Sequence, residues 1–212
     1  MTADTVDLDE LERDALTELV NIGVSRAAAS LRKMVHREVL LSVPSVEIVT
    51  RKSAASLIGQ RESESLVAVQ QQFEGPFSGR ALLIFPQSNG LSLVRAIVGD
   101  DMEEAELLDM EDEALAETGN VILNGCLGSM ANMLRHGLKM SLPDVRRGDS
   151  TLLFEDSDGR GDGGFVLFLY INFSVRERDI RGYIAMIMDL PSLEKLKQLI
   201  ADFIERVMTE TE

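Results

Sequence analysis

From Leu11 to about Val35 the apolar positions follow a helical period. Leu16, Val20, Gly23, Ala27, Leu31 and Met34 share one face at about 100° per residue, the stripe of a helix packed on a core. Asp14, Glu18, Asn21 and Ser25 fall on the opposite face. The pattern then shifts to partial alternation and β-branched runs in "VLLSVPSVEIVT" and "SLVAVQQQF", which predict strands. "GRALLIFP" is a short continuous apolar run, the mark of a strand buried on both sides. "QSNGLSLVRAIVG" predicts a short helix with Ser88 as a candidate cap and Gly99 as its stop.

Asp100 to Glu113 is densely acidic and reads as a connector that also charges the start of the next helix, where carboxylates favour the helix dipole. That helix is expected over about Asp112 to His136. Its inward stripe is Leu115, Gly119, Ile122, Cys126, Met130 and Met133, which makes Cys126 a core residue rather than a nucleophile. Strands are expected near 139–145, 151–154, 165–173 and 182–188. An amphipathic helix carrying Leu193, Leu196, Ile200, Phe203, Ile204 and Val207 closes the chain. Residues 1–9 are polar and are expected to fray, and "DSDGRGDGG" at 156–164 reads as a loop, its "GRGD" no more than a turn.

Sliding the chain by 99 residues superposes 14–46 on 113–145 without a gap and with nine identities. Ala15, Leu16, Glu18, Asn21, Ser30, Met34, Ser42, Pro44 and Val46 meet Ala114, Leu115, Glu117, Asn120, Ser129, Met133, Ser141, Pro143 and Val145. The later segments echo more loosely, so the chain reads as a duplicated unit of helix, strands and helix. One domain is expected over 1–212, with pseudo-symmetric halves at about 11–109 and 110–208. Shared core residues such as Leu16 and Met34 are what common ancestry and packing require. Glu18 and Asn21 lie on the polar face, where packing does not dictate residue type, so their retention in both copies points to use.

Composition narrows that use. A formal charge of −15 excludes a broad nucleic-acid or anionic-membrane surface, which needs clustered Lys and Arg. One cysteine cannot form an internal disulfide, and neither a secretory pattern nor a run of the roughly 20 apolar residues that crosses a bilayer is present, so a cytoplasmic home is expected. His36 and His136 share no zinc spacing with carboxylates, and no phosphate loop, Ser-His-Asp set or Cys-x-x-Cys pair is visible. What remains is the pair of Glu and Asn at i and i+3, neighbours on a helix face. An Asn amide cannot exchange protons at neutral pH, but it donates and accepts at fixed angles, which suits holding a water in line with an electrophile. The Glu then serves as a docking charge for a partner's Lys or Arg. Such a pair is half an active site, and the substrate protein must bring the rest.

Asp14, Glu18, Asn21 and, after twenty-two intervening residues, Pro44 form a spacing that resembles the signature of the CheC/CheX/FliY phosphatases of bacterial and archaeal chemotaxis. Glu117, Asn120 and Pro143 repeat it with the same gap, although Glu113 stands at the first motif position, where Asp or Ser is usual. The resemblance implies a pseudo-twofold duplicated α+β fold with the two long motif helices side by side over a shared β-sheet. It implies hydrolysis of the aspartyl phosphate on the response regulator CheY. Asn21 and Asn120 would position water, Glu18 and Glu117 would contact a regulator lysine, and Asp14 and Glu113 would flank the motif as candidate substrate contacts. Pro44 and Pro143 read as structural. No cofactor of the chain's own is implied, the Mg2+ being the regulator's. Two intact copies lean toward CheC-type chains and toward a monomer, with the deamidase CheD as a further partner. The alternative is a CheC-like adaptor that binds the regulator, CheD or the flagellar motor without catalysis.

Overall fold

The computed structural model describes residues 8–36, 38–63, 65–99, 103–155, 164–175 and 178–210. The first motif helix, α1 (Glu10–Val35), starts where the sequence places it. The Asp9 side chain accepts from the Glu12 N–H while the Glu12 carboxylate accepts from the Asp9 N–H, a capping box that satisfies two otherwise orphan donors. Then follow β1 (Val39–Thr50), α2 (Arg51–Arg61), β2 (Leu66–Glu74), β3 (Gly79–Pro86) and α3 (Gln87–Val98). The second half runs α4 (Glu104–Met133), β4 (Lys139–Met140), β5 (Asp144–Gly148), α5 (Ser150–Phe154), β6 (Phe165–Val175), β7 (Arg178–Met188) and α6 (Leu190–Glu210).

The strands form one antiparallel sheet in the order β1-β6-β7-β3-β2-β4, with β5 also pairing β2. Alternate residues of its inner strands face opposite ways. Val67, Val69, Phe73, Leu83, Phe85, Leu167, Leu169 and Ile184 pack under α1, α3, α4 and α6. Leu66, Ala68, Leu82, Ile84, Val166, Phe168 and Tyr183 pack with α2 and α5 on the other face. Burial on both faces is why these strands read as continuous apolar runs.

The duplication is written into the backbone as well as the sequence. β3 and β7, the corresponding strands of the two halves, pair with each other at the middle of the sheet, Leu83 opposite Ile184, so the pseudo-twofold axis passes between them. Thr50 and Asp149, 99 residues apart, are the N-caps of α2 and α5, accepting from the N–H groups of Ser53 and Leu152. His36 and Arg135 both take a left-handed conformation just past the motif helices, at φ 51° and 61°. The halves also interleave: β1 pairs with β6 of the second half, while β4 and β5 pair with β2 of the first.

Four local expectations need correction. The acidic stretch before Glu113 is helix from Glu104 onward, so α4 is a turn or more longer at its N-terminus than its apolar stripe suggests. Residues 151–154 belong to α5 rather than a strand, because the Asp149 cap starts a helical turn that buries Leu153 and Phe154. Ser88 does not cap α3, whose N-cap is Pro86, although Gly99 at φ 115° does end it. Helix α2 escaped prediction because only Ala54 and Ile58 of its residues are buried, too few to make a stripe. The expected loop at 156–164 and frayed segment at 1–9 lie mostly outside the described residues.

Candidate functional site

The motif helices lie against each other. A Cβ on Gly23 would stand 2.8 Å from the Cys126 carbonyl oxygen, and one on Gly125 would stand 2.7 Å from the Ala27 Cβ. Backbone-close contact of this kind needs the small residues found there, and Arg26 adds a bond from its guanidinium to the Ser129 hydroxyl at 3.4 Å. Cys126 is fully buried in this seam, and burial pushes its thiol up to about 12. It is a packing residue with no thiolate at neutral pH.

Glu18 and Glu117 are exposed, as are the flanking Asp14 and Glu113. Asn21 and Asn120 are not: both are half-buried where their helix meets the sheet side of the molecule. In the first copy the Val43 N–H donates to Asn21 Oδ1 at 3.1 Å, and Asn21 Nδ2 donates back to the Val43 carbonyl at 3.4 Å. Val43 precedes Pro44, and the β1–β6 register slips between Ser42 and Ser45. Proline has no N–H for the ladder, so the strand must break there. The Asn21 carboxamide takes over the pairing of the displaced peptide group. The twenty-two-residue gap therefore has a local structural cause, and the expectation that packing leaves Asn21 unconstrained is wrong.

The second copy solves the same break differently. Pro143 sits in the gap between β4 and β5, and Leu142, the counterpart of Val43, stands 88% exposed. Ser141 is pinned to β2, its N–H donating to the Gln72 carbonyl and its hydroxyl oxygen accepting from the Gln72 N–H, both at 2.9 Å. Asn120 turns instead to side chains. Its Oδ1 accepts from Gln71 Nε2 at 3.1 Å and from Asn124 Nδ2 at 2.6 Å. Gln71 Nε2 also donates to the Ser141 carbonyl at 2.8 Å. Gly119 allows this reach: a Cβ there would lie 2.5 Å from the Val69 side chain, so α4 rests directly on that side chain of β2.

The two copies thus present different free valences. Asn21 has one N–H and one lone pair left after Val43, whereas Asn120 has a fully used oxygen and two Nδ2 hydrogens without an acceptor among the described residues. Sequence reasoning named the Glu and Asn residues and did not name Val43, Gln71 and Asn124, which hold the asparagines in place. A polar Gln71 in a strand otherwise buried on that face was the available signal. Among the described residues no group of three or more His, Cys, Asp or Glu side chains is placed to hold a metal, and no helix is long and apolar enough to cross a membrane.

No protein-family model matches the chain. The flagellar motor switch phosphatase FliY of Bacillus subtilis (strain 168) is 29% identical over 147 residues, which are 68% of this chain and 38% of that relative's length. The CheY-P phosphatase CheC of the same organism is 21% identical over 196 residues, 89% of this chain and 93% of CheC. Among solved structures, Thermotoga maritima FliY has a TM-score of 0.72 at 18% identity, covering 92% of this chain and 98% of that one. The FliM middle domain of Vibrio alginolyticus has a TM-score of 0.61 at 12% identity, covering 87% and 99%. With its two motif copies, this chain is similar in sequence to the FliY and CheC phosphatases and shares its fold with FliY.

Proposed function

We propose that this chain hydrolyses the aspartyl phosphate of a CheY-type response regulator, with Glu18 and Glu117 docking a regulator lysine and Asn21 and Asn120 orienting the attacking water. In that reaction water attacks phosphorus, the P–O bond to the regulator's aspartate breaks, and free carboxylate and inorganic phosphate leave. The chemistry asks the enzyme for positioning and little else, since the regulator carries the phosphoryl group and its own Mg2+. The observation that carries the reading is Asn120: a carboxamide held on its oxygen by two donors, with its amino group uncommitted, one turn from an exposed carboxylate. A held amide loses less freedom on engaging a water than a mobile one.

The adaptor reading rests on the first copy. Asn21 already serves Val43 with both ends of its carboxamide, so its retention can be explained by the strand alone. A shared fold does not choose between them, because function lies in the site. The test is the decay of the phosphorylated regulator with Mg2+, alone and with this protein, for the wild type and the Asn21→Ala, Asn120→Ala and double variants. Faster decay lost in the double variant supports the phosphatase. No acceleration, with CheD present or absent, leaves the adaptor.

A further inference from the structure

Gln71 is 1% exposed, and its Oε1 is buried with no hydrogen-bond partner among the described residues, while its Nε2 donates twice, to the Ser141 carbonyl and to Asn120 Oδ1. An orphan acceptor in a core is costly and uncommon, so a side chain that leaves one must be held by what its other end does. The direction of that hold is fixed from one end. A backbone carbonyl only accepts, so Ser141 requires the amino group of Gln71 to face it. The same amino group then requires the oxygen of Asn120, and that oxygen in turn requires the amino group of Asn124. One carbonyl therefore sets the orientation of three carboxamides.

We propose that Gln71 is a positioning residue of the second site, fixing the Asn120 carboxamide with its oxygen inward so that Asn120 meets its ligand through Nδ2 as a hydrogen-bond donor. An incoming water accepts from Nδ2 with one lone pair and keeps the other for phosphorus. The first site has no such clamp among the described residues, because the place of Gln71 on the helix-facing side of its strand is taken in β6 by the buried Ile171, and that of Asn124 by Ser25. A leucine at 71 fits the surrounding apolar face, removes the orphan oxygen and leaves Asn120 free to turn over. This role rests on the phosphatase reading, but the clamp itself can be seen without it.

The test uses the full chain carrying Glu18→Arg, which silences the first site by reversing its docking charge and leaves Val43 untouched. Adding Gln71→Leu is expected to lower kcat for the phosphorylated regulator by about ten- to a hundred-fold, the usual penalty for a misplaced group, with KM within about twofold and the melting temperature unchanged or higher. Gln71→Met, a second apolar variant of matching length, is expected to do the same. In 15N-labelled protein, the Asn120 side-chain amide pair, assigned by its loss in Asn120→Ala, is expected to move in both variants. An unmoved amide pair, or a kcat equal to that of the Glu18→Arg parent, overturns the proposal. If no form accelerates decay while the amide pair still moves with Gln71, it is the phosphatase reading that fails and the clamp that stands.

Discussion

Truncating the motif asparagines should separate the two copies by stability before any activity is measured. In Asn21→Ala the Val43 peptide loses both partners, the 3.1 Å bond to its N–H and the longer 3.4 Å bond to its carbonyl. Val43 is 3% exposed, so water replaces them poorly. Orphaning the N–H costs about 1–2 kcal/mol and the long bond adds a few tenths. Alanine returns roughly 0.5 kcal/mol of helix propensity, leaving a net loss of about 1.5 kcal/mol. In Asn120→Ala the account differs: Gln71 keeps Ser141, water entering the half-buried space left by Asn120 meets the second hydrogen of Gln71 Nε2, and the half-buried Asn124 can reach water, so the net change should fall within about 0.5 kcal/mol of zero. With a urea dependence of about 2 kcal/mol per molar, Asn21→Ala should unfold about 0.5–1 M earlier than Asn120→Ala, read by circular dichroism. Equal midpoints for the two variants, or Asn21→Ala at or above the wild type, would refute the assignment of a structural duty to Asn21.

Gly23→Ala should destabilise by about 1–3 kcal/mol despite its better helix propensity, because the new methyl meets the backbone of Cys126 and neither helix can yield without parting the seam; a urea midpoint not below wild type would count against that packing. Cys126 should resist a thiol-specific reagent at pH 8 in the native state and react on unfolding. Because its pKa is raised to about 12 when folded, the unfolded chain holds fewer protons above pH 9, and stability should fall as pH rises from about 9 toward 12. Cys126→Ala should flatten that slope, and an unchanged slope would remove the thiol as its cause. Glu18→Gln and Glu117→Gln should raise KM for the phosphorylated regulator more at low salt than at high, since exposed docking charges act through a screened field. Salt-independent KM values would argue against the docking role.

The long helices, the inner strands and the duplication were legible because each buries a stripe or a run with a clear period. Leu16 to Leu31, Leu115 to Met130 and the "GRALLIFP" run show it directly. Helix α2 and the single turn of α5 were not, since each buries only two side chains, yet the caps Thr50 and Asp149 stood at matching positions in both copies. Glu18 and Glu117 were legible as exposed repeats. The half-burial of the asparagines was not, because helix periodicity places a residue on a face and says nothing of a strand break reaching over to meet it. Gln71 and Asn124 lay beyond repeat logic altogether, their counterparts being Ile171 and Ser25.

The interleaved sheet has a thermodynamic consequence. Since β1 completes its pairing on β6, and β4 and β5 complete theirs on β2, neither half can melt and leave the other intact. Both motifs share one unfolding equilibrium, so a ligand that binds either site of the native state shifts that equilibrium for both by the same mass-action term. Whatever their difference in hydrogen bonding, the two motifs persist or are lost together.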